Sequence, residues 1–370
     1  MQKISVGILG ATGMVGQKFI ELLTSHPWFE IVAVAASDRS LGKKYEEAAN
    51  WSMRTPLPKN IAELPVLPCR PDLPCNILFS GLDSTVAGEI EESFAMAGYK
   101  VISNASNHRM DPDVPLVVPE INADHLKLTQ HQRYGQGAIV TNPNCSVIGI
   151  TMALKPLLDR WGIEAVNVVT LQALSGAGYP GVPSMDILDN VIPYITGEEA
   201  KVEKEPLKIM GTLHEKEIVS YPMRLSAHCT RVPVADGHLA CVSVKLKKKA
   251  KANEIIAAWK EFEGKPQQLK LPSAPKHPII YLEDERYPQP KLHRMLENGM
   301  AVSIGRLREC PLFDWKFTIL SHNTIRGAAG CAILNAELML KKGYLKVIPL
   351  VDEVDESSSL AQRLQPVILA

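Results

Sequence analysis

No charge of one sign dominates this 370-residue chain, in which 40 Lys and Arg stand against 40 Asp and Glu. A balanced chain projects no field that would draw it onto nucleic acid or an acidic membrane surface, so any partner has to be argued from individual sites. Long hydrophobic runs are missing too. The apolar stretches fall well short of the ~20 residues a membrane helix needs, and most are broken by Gly, Pro or a charge, so the expectation is a soluble protein with no membrane partner. The seven cysteines, at 69, 75, 145, 229, 241, 310 and 331, form an odd, scattered set without the spacing of a disulfide framework. Met1 leads straight into the strand-like Ile4 to Leu9, with neither a charged n-region nor a long apolar h-region. A reducing, cytoplasmic setting is the expectation. The one basic run, Lys245 to Lys251, has no aromatic residue interleaved and reads as a solvated strand end rather than a nucleic-acid patch. No internal repeat is present.

The length exceeds what one compact core usually holds and predicts two domains. Through the first third, short apolar runs alternate with helix-like stretches: Ile4 to Leu9, Ile31 to Ala36, Ile77 to Phe79, Val101 to Ile102 and Leu116 to Val118. That is the βαβ rhythm of a buried parallel sheet. Val15, Phe19, Leu22 and Leu23 fall on one face of an intervening helix. A helical stretch follows Asn144 to about Arg160. Strand-like runs come next, at Ala165 to Gln172, Leu239 to Leu246, Met300 to Leu307 and Phe317 to Leu320. Strands with so few helices between them predict an α+β second domain with helices on one face. Thr324 to Lys342 reads as a long helix stopped at Gly343 and returning to the first domain. The boundaries expected are 1–143 for a dinucleotide-binding domain, rejoined by the helix at about 324–345, and 144–323 for a catalytic domain. Residues 351–370 read as a solvated tail.

Chemistry concentrates in two places. Gly10, Thr12, Gly13, Met14 and Val15 lie in Gly7-Ile8-Leu9-Gly10-Ala11-Thr12-Gly13-Met14-Val15-Gly16, where a first strand hands over to a helix. Glycines there let the backbone approach a pyrophosphate at the helix N-terminus, although glycine-rich turns also arise for steric reasons alone. At the end of the second strand, Ser37, Arg39, Ser40 and Lys43 offer the cations and hydroxyls a 2′-phosphate needs, with Asp38 opposing it if turned inward; NADP is favoured over NAD.

The second place is Thr141-Asn142-Pro143-Asn144-Cys145-Ser146, ahead of a helical pattern. A helix N-terminus favours a thiolate. Moving a thiol from about 8.5 to about 7 takes roughly 2 kcal/mol, against ~0.3 to 1 kcal/mol from a helix end. A second group must help, and His238, after the turn-forming Asp236-Gly237, is the candidate. Zinc on His228, Cys229, His238 and Cys241 is rejected: the spacings are wrong, and adjacent strand residues face opposite ways.

These segments, with Leu171-Gln172-Ala173-Leu174-Ser175-Gly176-Ala177-Gly178, the Arg231 to His238 stretch and Asp189-Asn190-Val191-Ile192-Pro193-Tyr194 followed by Gly197-Glu198-Glu199, resemble the aspartate-semialdehyde dehydrogenases, in particular the archaeal and fungal type, over about residues 3 to 345. The resemblance implies a Rossmann-type domain followed by a glyceraldehyde-3-phosphate-dehydrogenase-like catalytic and dimerisation domain. It also implies NADP as cofactor, no metal, aspartyl phosphate or aspartate semialdehyde and phosphate as small-molecule partners, and a homodimer or homotetramer. By similarity, Cys145 is the nucleophile, His238 the acid/base and Gln172 a positioning group. Arg231 would grip the α-carboxylate, Arg109 the phosphate, Glu205 the ammonium, and Lys208 would lie near the phosphate. The Asn144 side chain joins the oxyanion donors, while Ser175, Gly176 and Asn323 line the nicotinamide end. Two rivals remain open at this point: an acyl-CoA reductase of the malonyl-CoA type, and a catalytically silent NADP-binding sensor.

Overall fold

The computed structural model describes residues 3–345; the tail expected at 351–370 lies outside the described residues. Two six-stranded sheets dominate. The first has the order β3-β2-β1-β4-β5-β6, built from β1 (Ile4–Leu9), β2 (Phe29–Ala36), β3 (Val66–Pro68), β4 (Ile77–Ser80), β5 (Lys100–Ser103) and β6 (Ala138–Thr141). Every pairing in it is parallel. The strands read as continuous apolar runs because both faces are covered. The Met14–Leu23 helix packs Phe19, Ile20 and Leu23 onto one face in the same core as Ile8, Phe29 and Phe79.

Leu116 to Val118, expected as a strand, is not one: only an isolated bridge joins Leu116 to Thr141. Pro115 and Pro119 bracket the run, and a proline cannot donate to a ladder. The sixth strand is Ala138–Thr141 instead.

The second sheet comprises β7 (Ile163–Gln172), β10 (Arg224–Arg231), β11 (His238–Leu246), β12 (Ile279–Leu282), β13 (Val302–Glu309) and β14 (Trp315–Ser321), ordered β10-β7-β11-β14-β13-β12. A small hairpin, β8 (Thr212–His214) with β9 (Glu217–Val219), stands apart from it. The large sheet is mixed, with parallel pairs at its two edges and antiparallel pairs between. Its inward residues, Val166, Val168, Val242, Val244 and Phe317, share one core with Val147, Ile150 and Leu154 of the Cys145–Trp161 helix and Trp259 of the Ala252–Lys260 helix. Cys229 on β10 belongs to that core, whereas its neighbour His228 faces solvent.

After β14 the chain returns to the first sheet. It does so through a π-helical turn, Ile325–Ala329, that runs into the Gly330–Lys341 helix. Ala332, Ile333, Leu334 and Leu338 there pack into the first core, and Gly343 follows with φ 78°. The chain thus crosses between the sheets twice, at Thr141–Cys145 and again after Ser321. The two crossings touch, since Asn142 Nδ2 donates to Ala328 O at 3.2 Å.

Candidate active site

The first wall of the cleft is the loop from β1 into the Met14–Leu23 helix. Gly10 has φ +70°, and a Cβ there would lie 2.8 Å from Gly81 O; one on Gly16 would lie 2.3 Å from Gly10 O. Only glycine fits either place, which brings the loop flat against β4's end. Gly13 caps the helix without a side-chain acceptor, so the N–H groups of the first turn stay available to an anion. Gln17 fastens the loop from behind, donating to Thr12 O at 2.9 Å and to Asn50 O at 3.0 Å. Met14 meets Ser52 Oγ, and Val15 sits against Gly81. These features fit a dinucleotide pyrophosphate. Beyond β2, Ser37 and Arg39 lie exposed, Ser40 is half-buried and Lys43 is exposed. No ion-pair partner for Arg39 or Lys43 is found among the described residues. Arg39→Ala is expected to raise KM for NADP several-fold while leaving KM for NAD nearly unchanged; equal effects in steady-state kinetics would remove Arg39 from the 2′-phosphate site.

The second wall carries Cys145, the first residue of its helix. Asn144 caps that helix: its Oδ1 accepts from Ser146 N at 2.9 Å. Cys145 Sγ lies 3.1 Å from His238 Nε2, and His238, at the start of β11, is buried. Ala173 N–H donates to His238 Nδ1 at 3.0 Å. That bond assigns the tautomer: with Nδ1 accepting, the neutral ring carries its proton on Nε2, aimed at sulfur. Burial, then the charges of Arg231 and His322, push the imidazole down to about 3, which keeps the ring neutral.

The expectation of a preformed thiolate is not met. Cys145 keeps part of its surface open, yet burial pushes its thiol up to about 12, Glu198 adds to the rise, and Arg109, Arg231 and Lys201 offset it only in part. Desolvation outweighs the helix terminus here.

The other candidates converge on the same spot. Arg231 ends β10 with Nη1 donating to Ala173 O at 2.7 Å, and Gly176 is pressed so close that a Cβ would lie 2.8 Å from Nη1 and 3.2 Å from His238 Nε2. The Ile192–Arg231 bridge ties the 189–194 segment to this strand end. Asn323 receives Gly237 N–H at 2.8 Å and donates to Ser175 Oγ at 2.8 Å, which joins two of the three expected nicotinamide-end residues to the turn before His238. Arg109 and Glu205 form a buried pair at 2.9 Å, and Glu205 Oε2 also accepts from Asn144 N at 2.7 Å.

Two of the expected residues already have protein partners. All three protons of Lys208 go to backbone carbonyls, those of Arg109, Asp111 and Val114, at 2.8, 2.7 and 2.8 Å, so Lys208 secures the loop that carries Arg109. The Asn144 amide is no free oxyanion donor, because Nδ2 donates to both oxygens of Glu198 at 3.0 and 2.9 Å. Sequence reasoning misses Glu198 itself; its place in Gly197-Glu198-Glu199 is the available signal.

Models of two families match the chain: "Semialdehyde dehydrogenase, NAD binding domain" over residues 5–129 and "Semialdehyde dehydrogenase, dimerisation domain" over 154–326. The aspartate-semialdehyde dehydrogenase of Archaeoglobus fulgidus is 48% identical over 92% of this chain and 99% of its own length. This chain belongs to the aspartate-semialdehyde dehydrogenase family. Another member, from Schizosaccharomyces pombe, is 49% identical over 92% of this chain and 99% of that protein. Among solved structures of the aspartate-semialdehyde dehydrogenases, that from Candida albicans with NADP superposes with a TM-score of 0.87 at 44% identity, covering 92% of this chain and 100% of that one. Aspartate semialdehyde dehydrogenase II of Vibrio cholerae, complexed with ASA, gives 0.73 at 27% identity over 92% and 99%.

Proposed function

We propose that the chain catalyses the NADPH-dependent reduction of L-aspartyl 4-phosphate to L-aspartate 4-semialdehyde and phosphate, through a thioester on Cys145. The observation that carries this reading is the 3.1 Å contact between Cys145 Sγ and His238 Nε2 at a helix N-terminus. Family membership supports it, as does the Candida albicans relative, whose structure was solved with NADP. NADPH supplies the hydride that turns the thioester into the aldehyde.

The chain's own residues do the rest. Sulfur attacks the acyl carbon, an S–C bond forms, and the C–O bond to phosphate breaks with its electron pair leaving on the phosphate. Cys145 gives up its proton as it attacks, the departing phosphate taking it, and hydride transfer returns sulfur as a thiolate, to which the Nε2–H of His238 donates. Acid/base work at Nε2 would require protonating Nδ1 and giving up the bond from Ala173. With Asn144 engaged, the backbone N–H of Cys145 is the donor assigned to the oxyanion. Arg231 takes the α-carboxylate with the guanidinium edge not committed to Ala173. Glu205 takes the ammonium, Arg109 the phosphate, and Gln172 holds the intermediate.

Gly10, Thr12, Gly13, Met14 and Val15 would hold the NADP pyrophosphate, Ser37, Arg39, Ser40 and Lys43 its 2′-phosphate, and Ser175, Gly176 and Asn323 its nicotinamide end. The division follows as 1–143 with the helix at 324–345, and 144–323. Self-association through the second domain accords with the matched dimerisation model and with the exposed Tyr179, Met185, Leu188, Val191 and Tyr194. Seven free thiols accord with the cytoplasm.

The test is NADP reduction with L-aspartate semialdehyde and phosphate, run beside malonate semialdehyde with CoA. The first arm is expected to be faster by about ten-thousandfold, the discrimination a site gives when the wrong substrate leaves its buried polar groups unpaired. Equal rates, or a faster CoA arm, would assign the chain to acyl-CoA reduction.

A further inference from the structure

Glu198 opens the Glu198–Ile209 helix, is 8% exposed, and gathers four contacts. Asn144 Nδ2 donates to both of its oxygens, Lys201 Nζ to Oε1 at 3.0 Å, and Gln172 Nε2 to Oε2 at 3.3 Å. Asn144 precedes the nucleophile and Gln172 ends β7, so one carboxylate joins the two elements that flank Cys145.

We propose that Glu198 is a positioning residue that fixes the orientation of the Asn144 and Gln172 amides around Cys145. An amide has a donating end and an accepting end of nearly equal shape, and a neutral partner tolerates either. An ionised carboxylate only accepts, so it turns both NH2 groups toward itself. For Asn144 the consequence is closed: with Nδ2 on Glu198, Oδ1 is the end that receives Ser146 N–H and caps the helix. Gln172 is held from a second side, since Nε2 also donates to Thr170 Oγ1 at 3.3 Å. Burial alone would raise the Glu198 carboxyl, but the charge of Lys201 and the bonds from Asn144, Lys201 and Gln172 outweigh it and hold it below the usual range. The arrangement has a cost, because the same negative charge faces sulfur. The charged or titratable groups around Cys145 are Glu198 and Lys201 on one helix, Arg109 on its loop, Arg231 at the end of β10 and His238 at the start of β11.

This rests on Cys145 being the nucleophile, and the experiment separates the two ideas by reading the thiol apart from turnover. In the full-length protein, the pH dependence of Cys145 carboxamidomethylation by iodoacetamide, located by peptide mass, is measured beside kcat and KM. Glu198→Gln keeps the size and loses the acceptor-only character. It is expected to shift the alkylation profile to lower pH while kcat falls about tenfold to a hundredfold, as misplacement of reacting groups does, and KM changes little. Glu198→Asp is expected to recover part of kcat. Lys201→Met, at a half-exposed position, is expected to move the profile the opposite way, to higher pH, and this arm decides if Glu198→Gln does not fold. An unchanged kcat in Glu198→Gln, a thiol that becomes less reactive together with turnover, or a Lys201→Met profile that does not rise overturns the proposal. If the unaltered protein fails to turn over aspartate semialdehyde, the substrate assignment falls while the alkylation arms still test Glu198.

Discussion

Cys145→Ser is expected to lower kcat by about a thousandfold or more, on the scale seen when a covalent nucleophile is removed, with little change in NADP affinity. Serine preserves the shape, the helix start and the position facing His238. It loses the polarisable sulfur and raises the cost of forming the anion. His238 cannot compensate as a base, because its Nδ1 accepts from Ala173 and its Nε2 already carries the proton. Burial holds the thiol near 12. The group titrates above neutral pH, so its reactive form is present above that value and falls away as pH drops. Alkylation of Cys145 should therefore climb through pH 7 to 9 without levelling. A plateau below pH 8 would show a thiolate already formed. Fluorescence titration with NADP checks the second part; a tenfold loss of affinity in Cys145→Ser would mean that the cysteine and the Gly10 to Val15 loop are not separate sites.

Glu120→Ala is expected to cost about 3 to 5 kcal/mol, the range for stripping one partner from a buried ion pair. Glu120 and Arg326 meet through two bonds, Oε1–Nη1 at 2.7 Å and Oε2–Nη2 at 2.5 Å, with both side chains fully buried. Arg326 lies in the π-helical turn, and the next residue, Gly327, sits where a Cβ would be 2.9 Å from the Cβ of Cys145. An unpaired guanidinium there has no water to turn to, so activity should fall along with the thermal midpoint. The double variant Glu120→Ala with Arg326→Met is expected to regain part of the loss, since it removes the stranded charge. Calorimetry in which Glu120→Ala melts with the unaltered protein would sink the idea.

Much of the framework was legible because burial on both faces writes apolar runs into the first sheet, and because the 144–160 helix is strongly patterned. The misses have local causes. β10, Arg-Leu-Ser-Ala-His-Cys-Thr-Arg, is an edge strand with one polar face, and β12 is only four residues long at the opposite edge. The site's residue types were legible, but their final partners were not. The carbonyls that consume Lys208 lie 94 to 99 positions away in the chain, and in the charge-rich stretch from Glu198 to Lys208 the one mark on Glu198 is its place after Gly197, which does not name its partners. Only the fold, by placing Asn144 and Gln172 on it, separates Glu198 from the solvated charges around it.

The paired crossings, at Thr141–Cys145 and after Ser321, lie side by side and are joined by the Asn142–Ala328 bond. Cys145 opens the helix that starts at the first link, and Gly327 of the second is pressed against its Cβ. A change that loosens either link is therefore expected to reach the sulfur directly, with no intervening layer of side chains to absorb it.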